Sequence, residues 1–169
     1  LAALLGHCGA AELLIESGAN VNARDCGEHT PLHHSVYGNQ KGIVDLLIRR
    51  GAAVDARDET KSSPLMLAVM NLQADIVELL IKHDADVGRD DGSRTALYHA
   101  TRLGEIDTVQ LLLEGGARIA GCGGDEDHIL LLIAAELQRH DIVELLIKHG
   151  ADVNEENGYR WTPLHEASV

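Results

Sequence analysis

Phenylalanine is absent from this chain of 169 residues, and its aromatics amount to three Tyr and one Trp. The core must therefore be built from Leu, Ile, Val and Ala, a composition suited to thin, regular layers. Cysteine is scarce as well. Cys8, Cys26 and Cys122 are an odd number without framework spacing, so no disulfide staple is expected, and a reducing intracellular setting, cytoplasm or nucleus, is. No apolar run approaches the ~18 residues that a bilayer span requires, and no charged-then-apolar leader precedes the first helix. A membrane partner is not expected.

Positive charge is the other deficit. Lys and Arg number 14 against 27 Asp and Glu, a formal charge of −13. Nucleic-acid affinity comes largely from basic side chains displacing counterions, so nucleic acid is not an expected partner. The imbalance is uneven: residues 1 to 102 carry 10 basic and 14 acidic side chains, and residues 103 to 169 carry 4 and 13. An acidic solvated face, or a basic partner steered toward the C-terminal end, follows.

Against these absences stands a repetition. Residues 75 to 87 read DIVELLIKHDADV and residues 141 to 153 read DIVELLIKHGADV, twelve identities in thirteen positions at a spacing of 66. Half that spacing, 33, finds GIVDLLIRRGAAV at 42 to 54, with looser copies at 10 to 21 and 107 to 119. Such a period marks stacked supersecondary units, each covering its neighbour's apolar face. Within a unit a polar turn leads to a short apolar helix, a brief turn and a longer amphipathic helix. Thr30 and Thr162 suit the helix N-cap, with Pro31 and Pro163 at the first helical position, where no N–H is needed. In the second helix Ile43, Val44, Leu46, Leu47 and Ile48 form a wide stripe. Gly18, Gly51, Gly116 and Gly150 follow these helices, where a left-handed residue is wanted; Asp84 stands there in the third unit. The loop before Thr95 is one residue short, the one at 121 to 128 is one long, and Ile129 and Leu130 replace the Thr-Pro start, so an irregular hairpin is expected between the two halves.

The motifs TPLHHS at 30 to 35, TPLHEA at 162 to 167, LLIESGANVNA at 13 to 23 and LLIKHGADVN at 145 to 154 resemble the ankyrin repeat. The resemblance covers the whole chain as one array, with units 1 to 24 (partial), 25 to 57, 58 to 89, 90 to 123, 124 to 156 and 157 to 169 (partial). It implies an all-α solenoid of stacked helix-turn-helix units with projecting hairpin loops, and a structural bridging role for His33 and His165. With no initiator Met and an opening inside a predicted helix at Leu1, the chain is expected to be a piece of something longer.

Catalysis is not expected. No Ser-His-acid or Cys-His pair is placed by spacing, and acidic pairs such as Asp90 and Asp91, or Glu155 and Glu156, fall in turns. GCGG at 121 to 124 lacks the Lys and Ser or Thr of a phosphate cradle. Cys26, His29, His33 and His34 have ligand-like types, but a structural metal site wants four ligands and the resemblance already engages His33; no metal and no cofactor are expected. Arg24-Asp25, Arg57-Asp58 and Arg89-Asp90 recur at the base of successive hairpins, with Asp capping each turn and Arg pairing with a neighbour, or forming a ladder for an acidic partner.

The resemblance places partner contacts on hairpin tips and on the exposed side of the first helix of each unit. These are Cys26, His29 and Tyr37; Glu59, Thr60, Ser62 and Met70; Asp91, Arg94 and Arg102; His128 and Glu136; and Tyr159 and Trp161, the Trp suiting either an interface anchor or packing on a following unit. It also makes Asn22 and Asn154 candidates for hydroxylation, beside plain hairpin hydrogen bonding. The expected function is a non-enzymatic protein-interaction module, scaffold or adaptor, monomeric in solution. The alternative is the targeting or autoinhibitory arm of a larger enzyme, ubiquitin-ligase adaptor or channel; self-assembly through the chain's ends is a third reading.

Overall fold

The computed structural model describes residues 2–88, 91, 94–119 and 130–168. All regular elements among them are helices, in two compact units, Leu1–Asp86 and Val87–Val169. The first unit holds α1 (Ala2–Leu5), α2 (Cys8–Glu16), α3 (Pro31–Tyr37), α4 (Lys41–Arg49), α5 (Pro64–Met70) and α6 (Ala74–Lys82). The second holds α7 (Ala96–Leu103), α8 (Ile106–Glu114), α9 (Leu130–Glu136), α10 (His140–Lys148) and α11 (Pro163–Glu166). Within each unit like stacks on like. Helix α3 lies against α1 and α5, and α4 against α2 and α6; α9 lies against α7 and α11, and α8 against α10.

The helix starts follow the expected chemistry. Thr30, Ser63, Thr95 and Thr162 are extended N-cap residues. The hydroxyls of Ser63 and Thr95 accept from the backbone N–H of Met66 and Tyr98 at 3.2 and 3.3 Å, and Pro31, Pro64 and Pro163 occupy the first turn without wasting a donor. Leu32 and Val36 of α3, Leu65 and Val69 of α5, and Ile43, Val44 and Leu47 of α4 are buried, as are Ile76, Val77 and Leu80 of α6. None of these helices exceeds nine residues, too short to hold together alone, so stability comes from neighbours covering apolar faces. Across units of the array the surface charges add little: Lys41–Asp75 at 3.5 Å and Arg50–Glu12 at 3.2 Å are exposed pairs.

Side chains reaching from one unit of the array to the backbone of the next are more telling. His33 of α3 is fully buried. Its Nδ1 accepts from the Thr30 backbone N–H at 3.1 Å, so Nε2 carries the proton and donates to the Ser62 carbonyl at 3.3 Å. Burial pushes its pKa below the ordinary value. Asn22 Nδ2 donates to the Gly51 carbonyl at 3.1 Å and its Oδ1 accepts from the Ala53 N–H at 2.7 Å; Asp55, 33 residues on, accepts from the Asp86 N–H at 3.0 Å. At the start of the second helices Gln73 donates to the Val36 carbonyl at 2.9 Å, and Arg139 donates to the Gly104 carbonyl. These side chains satisfy carbonyls that the helix ends leave open.

The left-handed position after the second helix is Gly at 18, 51, 116 and 150, with φ between 86° and 91°, and Asp84 with φ 61°. The expected irregular hairpin at 121 to 128, with Cys122 and Ile129, lies outside the described residues. Thr101 of α7 is fully buried, and its hydroxyl has no hydrogen-bond partner among the described residues; Val36 and Val69 hold the same place in α3 and α5.

Two substitutions follow from this register. Asp84→Gly relieves a left-handed residue that carries a Cβ and is expected to stabilise by about 1 kcal/mol; a lowered thermal midpoint would contradict it. Thr101→Val replaces an orphaned buried hydroxyl with the methyl found at the equivalent positions and is expected to raise stability by up to about 1 kcal/mol, read by urea unfolding; a loss of stability would mean the hydroxyl is bonded.

Candidate functional site

Among the described residues, four turns that precede a first helix are each organised by one carboxylate or amide. Asp25 Oδ1 accepts from the backbone N–H of Gly27 at 3.0 Å and of His29 at 2.9 Å. Asp58 Oδ1 accepts from the N–H of Thr60 and Ser62 at 2.8 and 2.9 Å and from the Thr60 hydroxyl at 2.6 Å. Asp91 accepts from the Arg94 N–H at 3.0 Å, in a turn one residue shorter. Asn157 accepts from the N–H of Tyr159 and Trp161, both at 3.0 Å. Short oxygen-bearing side chains close such turns through their own backbone. Glu28, Lys61 and Arg160 take positive φ of 61°, 64° and 58° in three of them, so the turns are held against local preference by these bonds.

Asp91, at the strict 33-residue spacing from Asp58, holds its turn, whereas Arg89 and Asp90 lie outside the described residues. Arg24 pairs with Glu28 at 2.7 Å and donates to the Arg57 carbonyl at 2.9 Å, and the Glu59 N–H donates to the Gly27 carbonyl at 3.1 Å. Adjacent turns of the first unit are thus tied edge to edge.

On this frame the sequence-assigned contacts separate. Cys26, Glu59 and Thr60 are exposed at turn tips. Ser62 is buried, its hydroxyl 3.1 Å from that of Thr60 and its carbonyl accepting from His33, so its side chain has no free face for a partner. Asp91 is half-buried and spends its carboxylate on the turn and on His99 Nε2 at 3.2 Å. Tyr37 at the end of α3 and Met70 at the end of α5, 33 residues apart, are 44% and 49% exposed. Arg102 and Glu136 hold the equivalent exposed places on α7 and α9. Arg94 is exposed with its guanidinium 5.0 Å from the Tyr98 ring centre. Tyr159 is 81% exposed; Trp161, at 37%, donates to Glu166 at 2.8 Å and lies 5.1 Å from the His165 ring within its own repeat. His128 lies outside the described residues.

Two features go beyond the sequence reading, the second of them by adding Asp25 to His29 and His34, which the sequence had already grouped. Leu72, just past α5, is 55% exposed at φ 59°, and Leu103 at the end of α7 is exposed too. At Leu72 both the left-handed backbone and the exposed isobutyl group are unfavourable, so the fold gains nothing from leucine there. The second is a cluster on the first turn. His34 Nε2 meets Asp25 Oδ2 at 2.8 Å, His29 Nδ1 meets Asp25 Oδ1 at 3.2 Å, and the Tyr37 ring lies 5.6 and 6.5 Å from the His29 and His34 rings. The His34 hydrogen bond, helped by the backbone N–H groups of His29 and Gly27, holds the Asp25 carboxyl at about 2. Tyr37's hydroxyl is pushed above its ordinary range by burial and by the Asp58 and Asp25 charges. His33 turns into the interior. Asp25 was the member that spacing of His and Cys alone could not supply.

Comparison with known proteins agrees with this architecture. A model of ankyrin repeats in three copies matches residues 1–58 and 40–121, and a model of ankyrin repeats in many copies matches 131–168. A stretch of 81 residues is 37% identical to dynein axonemal heavy chain 12 of Bos taurus, covering 47% of this chain and 21% of that protein. Over 81 residues it is 36% identical to ankyrin repeat and SOCS box protein 14 of Mus musculus, covering 47% of this chain and 13% of that one. Over 75 residues it is 39% identical to the 2-5A-dependent ribonuclease of Homo sapiens, covering 43% and 10%. The matched stretches therefore span about a tenth to a fifth of these relatives' lengths.

Nitrogen NMR of the imidazoles tests the buried bridge. His33 is expected as the Nε2–H tautomer with a slowly exchanging ring proton, because that proton is held to Ser62; an Nδ1–H tautomer or rapid exchange would contradict the bridge.

Proposed function

Because this chain belongs to the ankyrin repeat family, we propose that it is a non-catalytic protein-interaction module whose contact surface runs along the turn tips and the exposed ends of the first helices. The observation that carries the reading is the register of Tyr37 and Met70, with Leu72 beside them. These apolar side chains stand in the open at the ends of two adjacent helices of the first unit. Tyr and Met are residue types enriched where interfaces are driest, and the side chain-to-backbone bonds beneath them fix their spacing before any partner arrives. A preordered surface loses little entropy on binding.

The partner is a protein whose complementary face offers an apolar strip flanked by basic groups, since the formal charge of −13 favours encounter with positive potential. The exposed, unpaired thiols of Cys8 and Cys26 fit a reducing cytoplasmic or nuclear setting. A second reading has this module as the targeting or autoinhibitory arm of a larger protein. It draws on the relatives, one of them a ribonuclease and one carrying a SOCS box by name, in which the matched stretch is a small part of the whole.

A photo-crosslinker placed at position 37 or 70 tests the surface, with position 78 or 82 of α6 as controls. Partner adducts are expected from the first pair and not the second. The double variant Tyr37→Ala, Met70→Ala is expected to weaken capture of that partner by about tenfold or more with an unaltered thermal midpoint. Equal crosslinking from α6, or undiminished capture, would move the interface elsewhere.

A further inference from the structure

The geometry points to a binding site for a borderline divalent metal ion of the Zn2+ class on the turn at residues 25 to 34, with Asp25, His29 and His34 as its protein ligands. One ligand atom from each of the three lies within 4.8 Å of the other two. The ring nitrogens nearest the carboxylate are His29 Nδ1 at 3.2 Å and His34 Nε2 at 2.8 Å. Tetrahedral Zn2+ with bonds of about 2.0–2.2 Å sets its ligand atoms roughly 3.3–3.5 Å apart, so the triad reaches that spacing through small side-chain rotations. All three side chains are partly exposed, between 23% and 43%, which leaves room for that adjustment.

The surroundings supply more than a chance meeting of polar groups. Two backbone N–H groups fix the Asp25 carboxylate through Oδ1, so the anionic ligand is positioned before an ion arrives. On the far side of His29, Nε2 faces the carboxylate of Asp58 at 3.6 Å, whose side chain is 1% exposed. A ligating imidazole is ordinarily oriented by a carboxylate on its second nitrogen, and Asp58 stands where that partner belongs. The Tyr37 ring flanks both imidazoles, limiting where they can swing. Two imidazoles and a carboxylate leave one coordination position for water or an incoming group, the three-ligand pattern of open sites.

In the free protein each imidazole donates an N–H to Asp25, which as a carboxylate can only accept. When the ion binds, His34 takes the Nδ1–H tautomer and His29 the Nε2–H tautomer, and the freed lone pairs go to the metal. No net proton is released from neutral rings, and the divalent charge is offset by Asp25 with Asp58 behind it. This site needs no protein partner and stands whether or not the interaction surface proposed above is correct.

The test is calorimetric titration of Zn2+ alone into chelator-treated protein, followed by imidazole NMR. One ion per chain with micromolar affinity is expected, with ring shifts at His29 and His34 and none at the interior His33. Asp25→Asn should keep the turn, since Asn157 closes the equivalent turn with an amide, while weakening Zn2+ by about tenfold or more. His34→Gln should do the same, and His83→Gln, at the half-buried C-cap of α6, should change nothing. Unaltered Zn2+ affinity in both Asp25→Asn and His34→Gln with intact melting, or ring shifts confined to other histidines, would overturn the assignment.

Discussion

No helix among the described residues can bury its own apolar side, and everything else follows from that. Apart from the four-residue α1 and α11, the first helices are seven or eight residues long and the second helices nine, lengths at which an isolated helix is marginal in water. Leu32 and Val36 are sealed only because α1 and α5 flank α3. Nonpolar contact alone is tolerant of sliding, so register needs directional bonds. They come as side chains reaching across about one repeat to backbone groups: His33 to Ser62, Asn22 to Gly51 and Ala53, Asp55 to Asp86, Gln73 to Val36.

Those bonds have a second effect, at the surface. A turn held by Asp25 or Asp58 against a positive φ at Glu28 or Lys61 presents its tip in one conformation. The exposed Tyr37, Met70 and Leu72 inherit that order from the helices carrying them. The residues that maintain register sit underneath the tips and helix ends. The same economy of position lets one turn gather Asp25, His29 and His34 without disturbing the frame.

Much of the fold was legible because repetition reports on backbone demands. The near-identical phrases at 75 and 141 fixed the unit, the Thr-Pro starts fixed where α3 and α11 begin, and the glycines that follow second helices identified Asp84 as the residue occupying a left-handed place, which its φ of 61° bears out. Side-chain direction is what a linear pattern does not carry. Ser62 was read as an exposed contact because it lies near a turn tip, yet its turn folds it beneath Thr60 and Asp58. Asp91 was read as a partner contact, yet its carboxylate is engaged by the Arg94 N–H and by His99. Asp25 joined no candidate cluster, since its partner His34 is nine residues away across a turn-to-helix junction.

Native-state amide hydrogen exchange tests the central claim, that protection is conferred by neighbours and not by each helix alone, most directly. Amides of α3 and α5, covered on both sides or locked to each other, should exchange with a common opening free energy equal to that of cooperative unfolding of the first unit. Those of α11, none of whose residues is buried, should exchange close to unprotected rates. Equal protection at α11, or separate and unequal opening of α3 and α5, would contradict the account.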